Sequence, residues 1–262
     1  MDTKLDRIAE VAKSKPNEKF TSLIHLINKE SLIQCHNEMK AKKASGVDEV
    51  TKEMYDNTLL DNVDDLIARM KRQTYKPQPA KRVYIPKPGT SSKRPLGIPS
   101  YEDKLVQAAL AKILNAIYEQ DFVECSFGFR PNRSCHDALK LLDKIVNKPT
   151  IHYVVDTDIK SFFDNVSHEW MMKFLEHRIG DKNLLRLVSR FLKAGIIDAG
   201  IRYDTPQGTP QGGVCSPVLA NVYLHYVLDL WFDKIVRKHC RGMAYMVRYA
   251  DDCAPRKRMK CA

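Results

Sequence analysis

Several things are missing from this chain of 262 residues, and each absence narrows what it can be. No apolar run approaches the roughly 18 residues that a membrane-spanning helix needs. The start, Met1 to Lys15, is charged and mixed and lacks the apolar block of a signal peptide. The expectation is therefore a cytoplasmic protein with no membrane partner. No two of the seven cysteines, at 35, 125, 135, 215, 240, 253 and 261, have Cys-x-x-Cys spacing, and their number is odd. A disulfide framework and a zinc site are both disfavoured. Cys135-His136 is an adjacent pair, but it has no partners at ligand spacing. Neither an internal repeat nor a low-complexity tract is present.

What is present is an ordinary globular composition, 44% apolar, in a length that suits one large domain or two smaller ones. The charge is less ordinary. Forty-three Lys and Arg stand against 32 Asp and Glu, a net +11. That excess favours a polyanionic partner, because each neutralised phosphate releases counterions; solubility alone is the competing explanation.

Apolar spacing predicts helices across residues 2–40 and over Asp61–Lys71. Between Tyr75 and Pro99 lie six of the thirteen prolines, so this stretch is extended strand and turn, with a strand at Arg82–Ile85 and a basic turn at Lys87–Arg94. Ser100 is placed to cap a core helix running to Tyr118, and Ser134 to cap another. A strand is expected at Ile151–Ile159, helices at Ser167–Ile179, Lys182–Leu192 and Val218–Lys238, and a strand at Ala244–Tyr249.

Two of these strands end in acids, Asp156-Thr157-Asp158 and Asp251-Asp252. Adjacent carboxylates repel and stay ionised together most readily around a cation. Aspartates from two strands suit a pair of Mg²⁺ ions roughly 4 Å apart, clamping the attacking and leaving oxygens of phosphoryl transfer. An Asp-Asp pair by itself is far more often a turn or solvated surface, with about one chance in ten of being catalytic. Residues 251 and 252 point to opposite faces unless a tight hairpin follows Tyr249.

The motifs around these acids resemble a known family. Asp158-Ile159-Lys160-Ser161-Phe162-Phe163-Asp164 is similar to the first palm motif of reverse transcriptases, and Tyr249-Ala250-Asp251-Asp252 to their signature hairpin. Pro206-Gln207-Gly208-Thr209-Pro210-Gln211-Gly212-Gly213 through Ser216-Pro217, followed by Leu219–Leu224, resembles the Pro-Gln-Gly block between them. Upstream, Gly46-Val47-Asp48, Tyr84-Ile85-Pro86-Lys87, Arg94–Pro99 and Gly128-Phe129-Arg130-Pro131 follow in order. Over residues 20–252 the chain resembles the group II intron-encoded reverse transcriptase/maturase branch.

The resemblance implies an α+β right-hand polymerase: a helical extension and fingers over 1–75, fingers over 76–150, and an antiparallel palm sheet backed by helices over 151–252. It implies Asp158, Asp251 and Asp252 as catalytic ligands of two Mg²⁺, joined by the Ile159 carbonyl. It implies Lys87 and Arg94 on the triphosphate of an incoming dNTP, and Phe163, five residues past Asp158, as a steric gate against a ribose 2′-OH. One of Phe162 and Phe163 is expected to be core. Gln211 and Gly212 would line the nucleotide and template pocket, although Gln207-Gly208 is an upstream copy. Arg130 would contact template RNA, or else pair a nearby acid. Implied partners are group II intron RNA, an RNA template with a DNA primer, and dNTP, with a homodimer left open. A non-catalytic intron RNA-binding maturase fragment is the alternative function. A two-metal nuclease leaves Phe163 and the Pro-Gln-Gly block unexplained.

After Asp252 the family continues as an apolar strand, further palm motifs and a thumb. Here Cys253–Ala262 carries Pro255 and a basic cluster, which reads as a poor return strand, a disordered basic tail, and a truncated or frame-shifted end. The corresponding expectation is weak or absent polymerisation by this chain alone.

Overall fold

Proline sets the first departure from the helical pattern. The computed structural model describes residues 2–86, 89, 91, 93–148, 151, 153–240 and 242–257. The expected helical stretch 2–40 is two helices, α1 (Asp2–Ser14) and α2 (Lys29–Glu38). Pro16 stands just past the end of α1, where its missing N–H and its ring stop the helix. The chain then runs extended, bridging Phe20 to Ile179, and turns once through Ile24–Leu26. Asn28 and Ser31 form a capping box that restarts the helix.

The joint between these helices is held by one carboxylate. Asp181, 5% exposed, accepts from the Leu23 and Ile24 N–H groups at 2.7 and 2.8 Å with one oxygen. Its other oxygen accepts from Asn183 and Leu184 N–H at 2.9 and 3.2 Å, capping α8 (Lys182–Leu192). Burial alone would raise the Asp181 carboxyl, but these donors outweigh it and hold the group below the usual range.

Two short helices, α3 (Lys52–Asp56) and α4 (Leu59–Lys71), lead to a hairpin of β1 (Ala80–Pro86) and β2 (Lys93–Ile98). That hairpin extends into a four-stranded sheet through β5 (Ile196–Asp198), parallel to β1, and β6 (Ile201–Tyr203). The central helix is α5 (Tyr101–Tyr118), whose first turn is capped by Ser100. Its stripe Leu105, Val106, Ala109, Leu110, Ile113, Leu114, Ile117 and Tyr118 is fully out of water. Burial of so broad a stripe stabilises the fold at about 25 cal/mol per Å² of apolar surface. The main hydrophobic core draws on buried residues from Leu23 to Phe122 and from Phe162 to Leu224.

Helix α6 (Cys135–Val146), capped by a Ser134/Asp137 box, packs on strand β7 (Ala244–Tyr249) over a small second core. Helix α7 (His168–Glu176) precedes α8, and a continuous helix spans 216–239, widening to π turns at His225–Asp229 and Phe232–Val236.

A return strand does form after the acids, contrary to the expectation from Pro255 and the basic residues. β8 (Asp252–Lys257) lies between β7 and the strand that carries Asp158, all antiparallel. That strand is split into β3 (Tyr153–Val154) and β4 (Thr157–Asp158), which keep one register against β8. The break at 155–156 faces 254–255, where Pro255 supplies no N–H to the ladder. Pairing on both sides thus overrides weak local propensity. The tail beyond Lys257 lies outside the described residues. Among the described residues, no helix is long and apolar enough to cross a membrane.

Asp181→Ala should lower the unfolding free energy by about 2–4 kcal/mol, read from urea denaturation, since four N–H groups lose a charged acceptor. Because the folded carboxyl is held down, its contribution is complete above the unfolded value of about 3.9 and is lost as pH falls through the folded value. A loss under about 0.5 kcal/mol would show that water replaces the carboxylate.

Candidate active site at the Asp251-Asp252 turn

Strand β7 and strand β8 are joined by two residues only, Ala250 and Asp251, with Tyr249 opposite Asp252. Ala250 takes φ +56°, in the left-handed region, as the first position of a primed turn requires. The tight hairpin brings both acids to one end of the sheet. Across β8 the register sets Asp158 directly opposite Asp252. The Asp252 carboxyl is pushed up by partial burial and by the like charges of Asp251, Asp158 and Asp156, and Arg94 on β2 opposes that rise. Four carboxylates and a cation from the other sheet therefore share one electrostatic neighbourhood.

The underside of the hairpin is held by a charge network that the motifs did not reveal. Arg248, 0% exposed, forks onto Asp229, 1% exposed, through Nε and Nη2 at 2.7 Å each. Its Nη1 donates to Asn221 Oδ1 at 3.0 Å and to the Ala250 carbonyl at 2.9 Å. Asn221 Nδ2 donates to the Gly128 carbonyl at 2.8 Å. The Gly128 backbone lies so close that a Cβ there would sit 2.1 Å from Ala250 N, which only glycine allows. The Arg248 main chain is gripped as well, its N–H donating to Cys125 O and its carbonyl accepting from Phe127 N–H.

Both Asn221 and Asp229 come from helix 216–239. Eight residues at 3.6 per turn leave a lag of about 80°. The wider turn at His225–Asp229 takes up part of it and keeps both side chains on Arg248. The available signal was an arginine inside an otherwise apolar strand and an acid, Asp229, set in the largely apolar run 218–232 of the helix, of opposite sign.

Arg130 is not placed to meet a template. Its side chain is 2% exposed and pairs Glu119 at 2.7 Å, while Nη1 donates to the Val123 and Ser126 carbonyls. It braces the 123–127 loop beneath the hairpin, so the local-pairing alternative is the observed one. The Gly46–Asp48 block is likewise structural: Gly46 packs on Pro99, and Asp48 accepts from Tyr101 N–H at the start of α5.

The two adjacent phenylalanines separate. Phe162 is core, while Phe163 lines a cavity of about 260 Å³ together with Arg82, Gln207 and Gln211. The Phe163 carbonyl accepts from Thr209 N–H at 2.8 Å, which fixes the Pro-Gln-Gly loop against it. Gln211 O accepts from Gly97 N–H at 2.6 Å, and Gly212 stacks on Gly97 with φ +111°. Both glutamines reach this cavity, so the geometry does not choose between them. Arg82 Nε is buried there without a partner among the described residues. Asp158, Asp251 and Asp252 are not among the lining residues. Ile159 packs its side chain against the main core, and Lys87 lies outside the described residues.

Among the described residues, no three His, Cys, Asp or Glu side chains converge closely enough to hold a metal ion. The donors nonetheless suit one: oxygen-only, hard, and crowded enough to raise one of their number.

A family model described as reverse transcriptase (RNA-dependent DNA polymerase) matches residues 85–255. The chain belongs to the reverse transcriptase family. It is 36% identical over 231 residues to the group II intron-encoded protein LtrA of Lactococcus lactis subsp. cremoris, covering 86% of this chain and 38% of that protein. It is 36% identical over 226 residues to protein YkfC of Escherichia coli, covering 84% and 59%. The chain thus spans less than two thirds of the length of each of these relatives. A solved partial Cas6-RT-Cas1–Cas2 complex shares the fold, with TM-score 0.54 and 22% identity over 90% of this chain and 38% of that one. The group II intron affinity read from the motifs is borne out by the family match together with the group II intron-encoded relative.

Because the folded Asp252 carboxyl is raised, the native state holds its proton more tightly than the unfolded chain, and ionisation costs stability as pH rises through that window. Without divalent cations, Asp252→Asn should therefore raise Tm at neutral pH, by no more than about 3 °C given its exposure to solvent. The gain should vanish below the unfolded value of about 3.9. Added Mg²⁺ should reverse the order, stabilising the wild type alone. Scanning fluorimetry with and without Mg²⁺ reads both effects; a lower Tm for the metal-free variant would contradict the crowding.

Proposed function

We propose that the chain is the fingers and palm of a group II intron-type RNA-directed DNA polymerase, extending a DNA primer on an RNA template by nucleotidyl transfer from dNTP. Residues 1–150 would be the fingers, with 1–75 as their helical extension, and 151–252 the palm. The observation that carries the reading is the register of Asp158 opposite Asp252, with Asp251 in the adjoining turn. Asp158, Asp251 and Asp252, with the Ile159 carbonyl, would hold two divalent ions, Mg²⁺ by donor hardness, which when bound clamp attacking and leaving oxygens. Arg94 would offer its fork to the triphosphate and Lys87 a point charge. Phe163 would exclude a ribose 2′-OH, while Gln211 and Gly212 line the nucleotide's surroundings. A second reading, binding of intron RNA without synthesis, is favoured by the net charge of +11.

Primer extension on an RNA template should give weak, dNTP-dependent products that fall by roughly three orders of magnitude in Asp251→Asn, as loss of several kcal/mol of charge stabilisation implies. Intron-RNA binding should survive that change. Products that form equally in the variant would remove the reading, and cleavage without dNTP would favour a nuclease.

Phe163→Val should raise the relative use of ribonucleotides by about tenfold or more, since a pocket discriminates a small group by this order. Single-nucleotide incorporation with matched dNTP and rNTP measures it; an unchanged ratio would assign Phe163 to packing.

A further inference from the structure

We propose that Arg248, Asp229 and Asn221 are positioning residues that lock the central peptide of the Ala250-Asp251 turn and so aim the Asp251 carboxylate. This rests on the polymerase reading of the turn. A two-residue hairpin turn has two alternatives, which differ by a flip of its central peptide. In one, both turn residues have positive φ; in the other, only the first does. Here Ala250 is at φ +56° and Asp251 has a negative φ, so the second form is the one adopted.

The oxygen of that central peptide is the Ala250 carbonyl, and it accepts from Arg248 Nη1 at 2.9 Å. Flipping the peptide would turn this oxygen away from a fully buried guanidinium and leave a donor without a partner, which is costly. The guanidinium itself has no freedom to follow. Asp229 holds it by two parallel bonds at 2.7 Å, and Asn221 takes the remaining Nη1 direction at 3.0 Å. Asn221 is anchored in turn on Gly128, whose backbone presses on Ala250 from the same side. The direction of the Asp251 Cα–Cβ bond therefore depends on a charge pair on the far side of the strand, within helix 216–239. Residues that orient metal ligands in this way typically change metal affinity 10- to 100-fold when removed.

The test uses Mn²⁺ as probe, with affinity read from the free-ion electron paramagnetic resonance signal of the whole chain. Arg248→Met combined with Asp229→Leu replaces the buried pair by apolar side chains of similar size, which folds commonly tolerate. It should keep the circular dichroism and cooperative melting of the parent, weaken Mn²⁺ binding about tenfold, and broaden the Asp251 amide resonance by exchange between the two turn forms. Arg248→Lys keeps the charge facing Asp229 but not the fork, and should give the same direction of change if the double variant fails to fold. Asp251→Asn is the reference. If it weakens Mn²⁺ binding while the folded double variant, or Arg248→Lys, binds as tightly as the parent, the positioning role is refuted and the polymerase reading stands. If Asp251→Asn itself binds Mn²⁺ unchanged, the polymerase reading falls, and the positioning role with it.

Discussion

Arg248 and Asp229 lie entirely out of water, one on a strand and one on the helix behind it. Burying two charges carries a large desolvation cost, and breaking such a pair is worse than never forming it. The pair therefore acts as a constraint on everything attached to it. A slip of strand β7 by one residue would carry Arg248 to the opposite face and set an apolar neighbour against Asp229. The strand, the helix, the loop 125–128 and the turn at 250–251 are consequently fixed relative to one another by one guanidinium.

Above that fixed base the chemistry runs the other way. The top of the sheet gathers Asp156, Asp158, Asp251 and Asp252, which repel one another and are relieved only in part by Arg94. A rigid, neutralised underside supports a strained, anionic upper side. This division is common where a site is built to receive a cation, because the protein then supplies placement and the cation supplies neutralisation. The meeting of Gly97 with Gly212 joins the second sheet, and Arg94 with it, to the loop that carries Gln211.

Much of this was legible in the sequence for local reasons. Ser100 and Ser134 cap helices because a hydroxyl before an apolar-periodic stretch has little else to do. Ala244–Tyr249 reads as a strand and is one. One of the two adjacent phenylalanines, Phe162, is core as expected, and Phe163 is the one that lines the cavity. What was not legible depends on distant partners. Pro16 splits a helix that periodicity alone continued. Pro255 sits in a paired strand because neighbours on both sides provide what local propensity lacks. For Arg130 the resemblance left a template contact and a nearby acid as alternatives, and the choice rests on Glu119 eleven residues away. Asp229 carried no motif at all, and its meaning is visible only once the strand bearing Arg248 is laid beside it.

Asp181 has a consequence for how the molecule opens. Its two oxygens tie the Leu23–Ile24 turn to the first turn of α8, so neither segment can detach without stripping acceptors from the other. Transient opening of the N-terminal connection and fraying of α8 are thereby merged into a single cooperative event. In hydrogen exchange, the amides of Leu23, Ile24, Asn183 and Leu184 would share one opening free energy across 158 residues of intervening chain.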